Sequence, residues 1–196
     1  MTLSEFINKY RDLINKRDFV NPIFDSVRGS EVWGKFISLT LKNGIDPLEK
    51  ATFVPSKMFY SCRSLTSISL PDNITSIGYE AFSGCNELTS ISIPNSVIKI
   101  RDSAFGGCIS LESIIIGNGV ISIGNNAFFS CTSLTSVTIG SSVESIGHNA
   151  FWNCGSLCDL IYRGTKQQFK EIRKHADWRP LQSIEVKCTD GSLIYK

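Results

Sequence analysis

Cysteine returns every 23 residues through the middle of this chain, at Cys62, Cys85, Cys108, Cys131 and Cys154. Phenylalanine keeps the same step at Phe59, Phe82, Phe105, Phe128 and Phe151, and leucine at Leu65, Leu88, Leu111, Leu134 and Leu157. Alanine joins at Ala81, Ala104, Ala127 and Ala150. Aliphatic columns run through Ile68, Ile91, Ile114, Val137 and Leu160; through Leu70, Ile93, Ile116, Ile139 and Tyr162; through Ile74, Val97, Val120 and Val143; and through Ile77, Ile100, Ile123 and Ile146. Eight columns in register exclude coincidence. A unit of this length cannot close a core alone, so the copies must stack, each burying the apolar edge of the next. The chain is therefore expected to form a solenoid.

Within each unit, a stretch such as Leu88–Ile93 alternates like a short strand. Copies of it would run parallel, about 4.8 Å apart along the axis. Pro71, Pro94, Gly117 and Gly140 follow these stretches and end them, because proline lacks a ladder donor and glycine turns easily. The segment Ile74–Ile77 and its copies predict a second, weaker extended run on the opposite side. Gly78, Gly124 and Gly147 then lead into an Ala-Phe-x-x-Cys corner, expected to be a tight helical turn. Arg101 stands in that glycine column, so the turn does not everywhere require a positive φ.

The motif SIxIPxSVxxIxxxAFxxCxSL resembles the BspA-type leucine-rich repeats of many bacterial and some protist proteins, over roughly Ala51 to Tyr162. The tail IYRGTKQQFKEI…IEVKCTDG is similar to a closing segment that follows such repeats in gut bacteria. The resemblance implies an α/β solenoid, a right-handed superhelix with a parallel β-sheet on its concave face and short extended or 3-10 segments on the convex side. Family members are commonly surface-associated adhesion or interaction proteins. A binding function is implied, and no catalytic residues carry over.

Three regions follow. Residues 1–50 read as a helical N-terminal cap: Thr2-Leu-Ser-Glu5 forms a capping box, and Leu3, Phe6, Ile7, Tyr10, Leu13 and Ile14 make one apolar helix face. A second helix is expected from Ser30 to Gly44, with Val32, Trp33, Phe36, Ile37 and Leu41 inward. Covering the open end of the solenoid is the plain role for this segment, and dimerisation or docking the sharper one. Residues 51–162 hold the repeats. Residues 163–196 read as a mixed C-terminal cap. There Thr165 and Gln168 open a helix to about Ala176 with Phe169 and Ile172 inward, Ile184–Cys188 forms a strand, and Asp190-Gly191 signals a hairpin.

The net charge of +2 gives no general attraction to nucleic acid or anionic membrane. Between Ser61 and Tyr162 stand three basic and seven acidic residues, so the positive charge lies in the flanks. No apolar run approaches the roughly 20 residues that span a bilayer, and the charged N-terminus does not read as a signal peptide. That absence, with seven cysteines that read as reduced, points to the cytoplasm; the family resemblance implies the cell surface.

Chemistry is sparse. The five regular cysteines sit among core columns and read as buried, reduced residues. Cys154, Cys158 and His148 lack the paired spacing of a zinc site, and no metal is expected. His148 falls in a repeat turn and His175 in the C-terminal cap. No nucleophile elbow or phosphate-binding glycine loop is present; Gly117-Asn-Gly119 follows a repeat strand without opening a helix. No catalytic residue and no cofactor are assigned.

Strand alternation sets Ser67, Ser69, Ser90, Ser92, Ser113, Ile115, Ser136, Thr138, Asp159 and Ile161 on the open face of the main sheet. Ile115 and Ile161 stand out, since apolar groups at outward positions have no folding role. With Glu112, Thr138 and Asp159 they form the expected binding patch for a protein or glycan. A competing convex patch comprises Phe129 and Trp152, with Ile98 and Ile121 in a separate column. It would serve a partner, the packing of the cap, or a homodimer.

Overall fold

The computed structural model describes Leu48, residues 51–180 and residues 182–195. The helices expected within residues 1–50 lie outside the described residues. Two β-ladders enclose a common apolar core. The first is built from β1 (Ser76–Ile77), β3 (Lys99–Ile100), β5 (Ser122–Ile123), β7 (Ser145–Ile146) and β9 (Arg173–Lys174), all parallel. The second runs through β2 (Ser90–Ile93), β4 (Ser113–Ile116), β6 (Ser136–Ile139) and β8 (Asp159–Tyr162), in parallel, and continues into the cap. There β10 (Ile184–Cys188) pairs parallel with β8, and β11 (Gly191–Tyr195) closes the sheet as an antiparallel hairpin strand. Ladder partners are residues of one sequence column, such as Ile91 with Ile114 and Ile114 with Val137. The 23-residue step is thus the hydrogen-bond register.

Inward positions of the strands are buried and outward ones exposed or half-buried, as pleating requires. Leu65–Leu70 carries the strand pattern but does not pair as a strand. It meets the next turn through the Thr89 N–H, which donates to the Thr66 carbonyl at 3.3 Å.

Between the ladders the phenylalanine rings stack nearly parallel, with centroids 4.8 Å apart for Phe59–Phe82 and 5.3 Å for Phe105–Phe128. This is close to the strand spacing, so each ring rests on the one below. The corner that carries them is not a helical turn. It is a succession of tight turns: Ser83 N–H donates to the Glu80 carbonyl, and Cys85 N–H to Phe82. Two columns in each corner take left-handed backbone. One holds Lys57, Glu80, Ser103, Asn126 and Asn149; the other holds Ser61, Gly84, Gly107, Ser130 and Asn153. Left-handed residues reverse the chain every few residues and stop a helix from propagating.

Gly78, Gly124 and Gly147 serve a different purpose, since none of them has positive φ. A Cβ on Gly124 would lie 2.6 Å from the Asp102 backbone nitrogen, and one on Gly147 2.6 Å from that of Asn125. These glycines allow one turn to rest on the backbone of the turn before.

In the cap, α1 (Lys166–Glu171) starts from the expected capping box: Gln168 N–H donates to Thr165 Oγ1 at 3.2 Å, and Thr165 N–H to Gln168 Oε1 at 2.8 Å. It stops five residues short of the expected Ala176. Ile172 leaves helical geometry at ψ 127°, because the following residues are claimed by the ladder. Arg173 N–H donates to the Glu144 carbonyl and His175 N–H to that of Ile146. Phe169 and Ile172 are buried as expected. Trp178 ends the phenylalanine stack, meeting Phe151 edge-on at 85°, and packs with Phe169 and Tyr195 into an aromatic plug.

Candidate functional site

The outward face of the main sheet is a grid of two rows set by strand pairing. One row runs Ser90, Ser113, Ser136, Asp159; the other runs Ser92, Ile115, Thr138, Ile161. Ile115 is 45 % exposed, and Ile161 is half-buried two strands away, about 9–10 Å off at normal strand spacing. Thr138 stands between them and Glu112 is exposed beside β4. The five residues singled out on this face therefore share one neighbourhood.

The cap adds two groups to the face that sequence reasoning missed. Lys187 pairs with Ile161 across β10 and β8, and its Nζ lies 2.6 Å from Asp159 Oδ1. That bond to the carboxylate holds the lysine above its ordinary pKa. Asp159 is thus already paired, which leaves Glu112 as the freer acidic group at the patch. Ile194 on β11 is 69 % exposed and lies opposite Glu185 on the same face. A strand over 184–188 was legible, but its register against β8 was not.

On the other side, Phe129 and Trp152 stack at 5.2 Å and 9°, both half-buried. Ile98 and Ile121 sit in a separate column beside the short strands, 43 % and 39 % exposed. They adjoin each other, since Ile121 N–H donates to the Ile98 carbonyl. The convex candidates therefore form two pairs. Ile121 also lines a groove of about 620 Å³ between the last repeat and the cap, with Val143, Glu144, Tyr162 and Arg173.

The cysteine ladder is core. Cys62, Cys85, Cys108, Cys131 and Cys154 are buried free thiols. From Cys85 onward, each Sγ donates to the carbonyl of the phenylalanine one repeat back, at 3.1–3.2 Å. Burial pushes Cys62 and Cys108 up to about 12, and raises Cys85 and Cys131 in the same direction. Such thiols are poor nucleophiles and poor metal ligands, because both roles need the thiolate.

The histidines are brought together. His148 Nδ1 and His175 Nδ1 lie 3.0 Å apart, and Asp177 Oδ2 lies 3.7 Å from the first and 3.9 Å from the second. His148 and His175 stand 27 residues apart in sequence, so no local motif marks the cluster.

No helix among the described residues is long and apolar enough to cross a membrane. The solved structures similar to this chain include three bacterial leucine-rich repeat proteins. A leucine-rich cell surface protein from Faecalibacterium prausnitzii A2-165 is 37 % identical with a TM-score of 0.60, over 62 % of this chain and 32 % of that one. A leucine-rich repeat protein of T. pallidum is 33 % identical with a TM-score of 0.54, over 66 % and 64 %. One from Bacteroides ovatus ATCC 8483 is 34 % identical with a TM-score of 0.51, over 56 % and 31 %. The match thus spans about a third of the first and third and less than two thirds of the second. No curated protein matches. The model of the BspA type leucine rich repeat region matches six copies over residues 52–176. That match spans well over half of the chain, which therefore belongs to the BspA-type leucine-rich repeat family, a class of repeat proteins that act as binding scaffolds.

Proposed function

We propose that this chain is a non-enzymatic recognition module that binds a protein partner through the outward face of its main sheet. The observation that carries the reading is the row Ser92, Ile115, Thr138, Ile161, where isoleucine takes positions filled elsewhere by small hydroxyls. Exposed apolar side chains clustered on a polar face often mark interaction sites. Ile115 and Ile161 supply apolar contact, Glu112 supplies charge, and Asp159 with Lys187 forms a fixed polar rim. The outward positions of β2, β4, β6, β8 and β10 carry no aromatic residue on which a sugar ring would stack, which favours protein over glycan. The cell-surface description of the Faecalibacterium relative supports a role in surface recognition or adhesion.

Replacing Ile115 and Ile161 together with serine tests this. A partner captured from cell extract by the wild-type chain should be lost from the double variant, while the melting temperature stays nearly unchanged. Retention of that partner by the folded variant would remove the patch from consideration.

A second reading is self-association through the convex surface, with the N-terminal segment contributing. The stacked pair Phe129–Trp152 and the exposed pair Ile98–Ile121 support it. Light scattering on a chain carrying Phe129→Ser and Trp152→Ser decides the matter; an oligomeric mass unaltered by the substitutions would end this reading.

A further inference from the structure

We propose that His148, His175 and Asp177 form a binding site for a divalent transition-metal ion of the zinc class, which fastens the C-terminal cap to the last repeat. The three donors reach one place because the ladder delivers them there. His148 follows β7 in the column Tyr79, Asp102, Asn125, His148, and its backbone N–H donates to Asn125 Oδ1 at 2.8 Å. The cap then supplies the next turn of the same ladder: Ser145 pairs with Arg173 and Ile146 with Lys174. His175 N–H donates to the Ile146 carbonyl at 3.1 Å, and Asn149 N–H to that of Asp177 at 3.1 Å. All three backbones are held by bonds independent of any ion.

The donor atoms themselves fit a metal better than they fit one another. The two Nδ1 atoms at 3.0 Å can share a single proton, but Asp177 Oδ2 is beyond hydrogen-bond reach of both rings. The three separations, 3.0, 3.7 and 3.9 Å, define a triangle whose equidistant point lies about 2.1 Å from every corner. Zinc bonds imidazole nitrogen at about 2.0–2.1 Å and carboxylate oxygen at about 2.0–2.2 Å. Two imidazoles and a carboxylate suit zinc and its borderline neighbours among the divalent ions. His148 is half-buried while His175 and Asp177 are exposed, so an ion has an open path in and water can complete its coordination.

Such an ion would add a further bridge between two parts of the chain that backbone bonds, packing, the Lys187–Asp159 pair and the Gln182 side chain already join. A ligand that binds only the folded state raises its stability by mass action. Titration of the full-length chain with ZnCl2, followed by calorimetry and thermal melting, tests the site. One ion per chain is expected, with the melting temperature raised by roughly 5–10 °C at a hundredfold excess over the dissociation constant. His148→Asn and His175→Asn should each weaken binding at least tenfold and remove the shift. Far-UV circular dichroism without zinc checks that they fold, and Asp177→Asn supplies a nearly isosteric third variant. Cobalt(II) in place of zinc separates this site from the accessible thiols Cys158 and Cys188. The expected spectrum lacks a thiolate charge-transfer band. Absence of binding at 100 µM zinc (roughly the weakest affinity at which such a clip would matter), equal binding by the histidine variants, or a thiolate band lost in Cys158→Ser would each overturn the proposal.

Discussion

Cys131 donates its thiol hydrogen to the carbonyl oxygen of Phe105, 3.2 Å away and one repeat back. The bond joins two of the most regular columns in the chain and links successive turns where no strand ladder runs. That carbonyl also accepts the Cys108 N–H at 3.3 Å, so the thiol is a second donor on its other lone pair, and a cysteine at this corner ties one turn to the next as well as filling space. The same bond recurs between Cys108 and Phe82 and between Cys154 and Phe128.

Thiol reactivity should divide the cysteines sharply. Only Cys158, which is exposed, and Cys188, which is partly so, should react with a chromogenic disulfide reagent in the native chain. All seven should react in denaturant. Rapid native reaction of more than two thiols would mean that the corners are open to solvent.

Alkaline stability follows from the same burial. Cys62 and Cys108 are raised from 9.0 to about 12, and Cys85 and Cys131 are raised too. Their contribution is complete below pH 9 and is lost as the pH climbs toward 12, because the unfolded chain gives up these protons first. Between pH 8 and pH 10 Cys62 and Cys108 should together remove roughly 3 kcal/mol, with Cys85 and Cys131 acting in the same direction. Denaturant unfolding under reducing conditions at the two pH values measures it. A loss under about 1 kcal/mol would contradict the burial.

Gly124→Ala and Gly155→Ala form a matched pair. A Cβ at Gly124 meets the backbone of Asp102 and Arg101 at 2.6 and 2.7 Å, whereas one at Gly155 meets nothing within 4 Å. The first should destabilise by about 1–3 kcal/mol through overpacking, and the second by no more than about 0.5 kcal/mol. Equal effects would show that the glycine column is not set by stacking.

Core truncation should be severe in the centre of the array. Leu111→Ala should lose about 2–5 kcal/mol and Phe105→Ala about 3–5 kcal/mol, since both side chains are fully buried. The phenylalanine variant also breaks the stack with Phe82 and Phe128. Chemical denaturation with tryptophan fluorescence reads both.

The repeat, its register and its buried columns were determined by the sequence alone. A 23-residue step in Phe59, Cys62 and Leu65 leaves one way to stack like on like, and each in-register neighbour then pairs through its backbone. The capping box at Thr165 and the hairpin at Asp190-Gly191 were legible too, because both rest on local chemistry. The tertiary structure alone decided where regularity stops. α1 ends at Glu171 because the ladder outcompetes one more helical turn, and Leu65–Leu70 keeps the strand pattern without strand pairing. Only the cap's register set Lys187 against Asp159 and His175 against His148. Periodicity carries information between equivalent positions of a repeat. The cap breaks the period, so its contacts depend on the path of the folded chain.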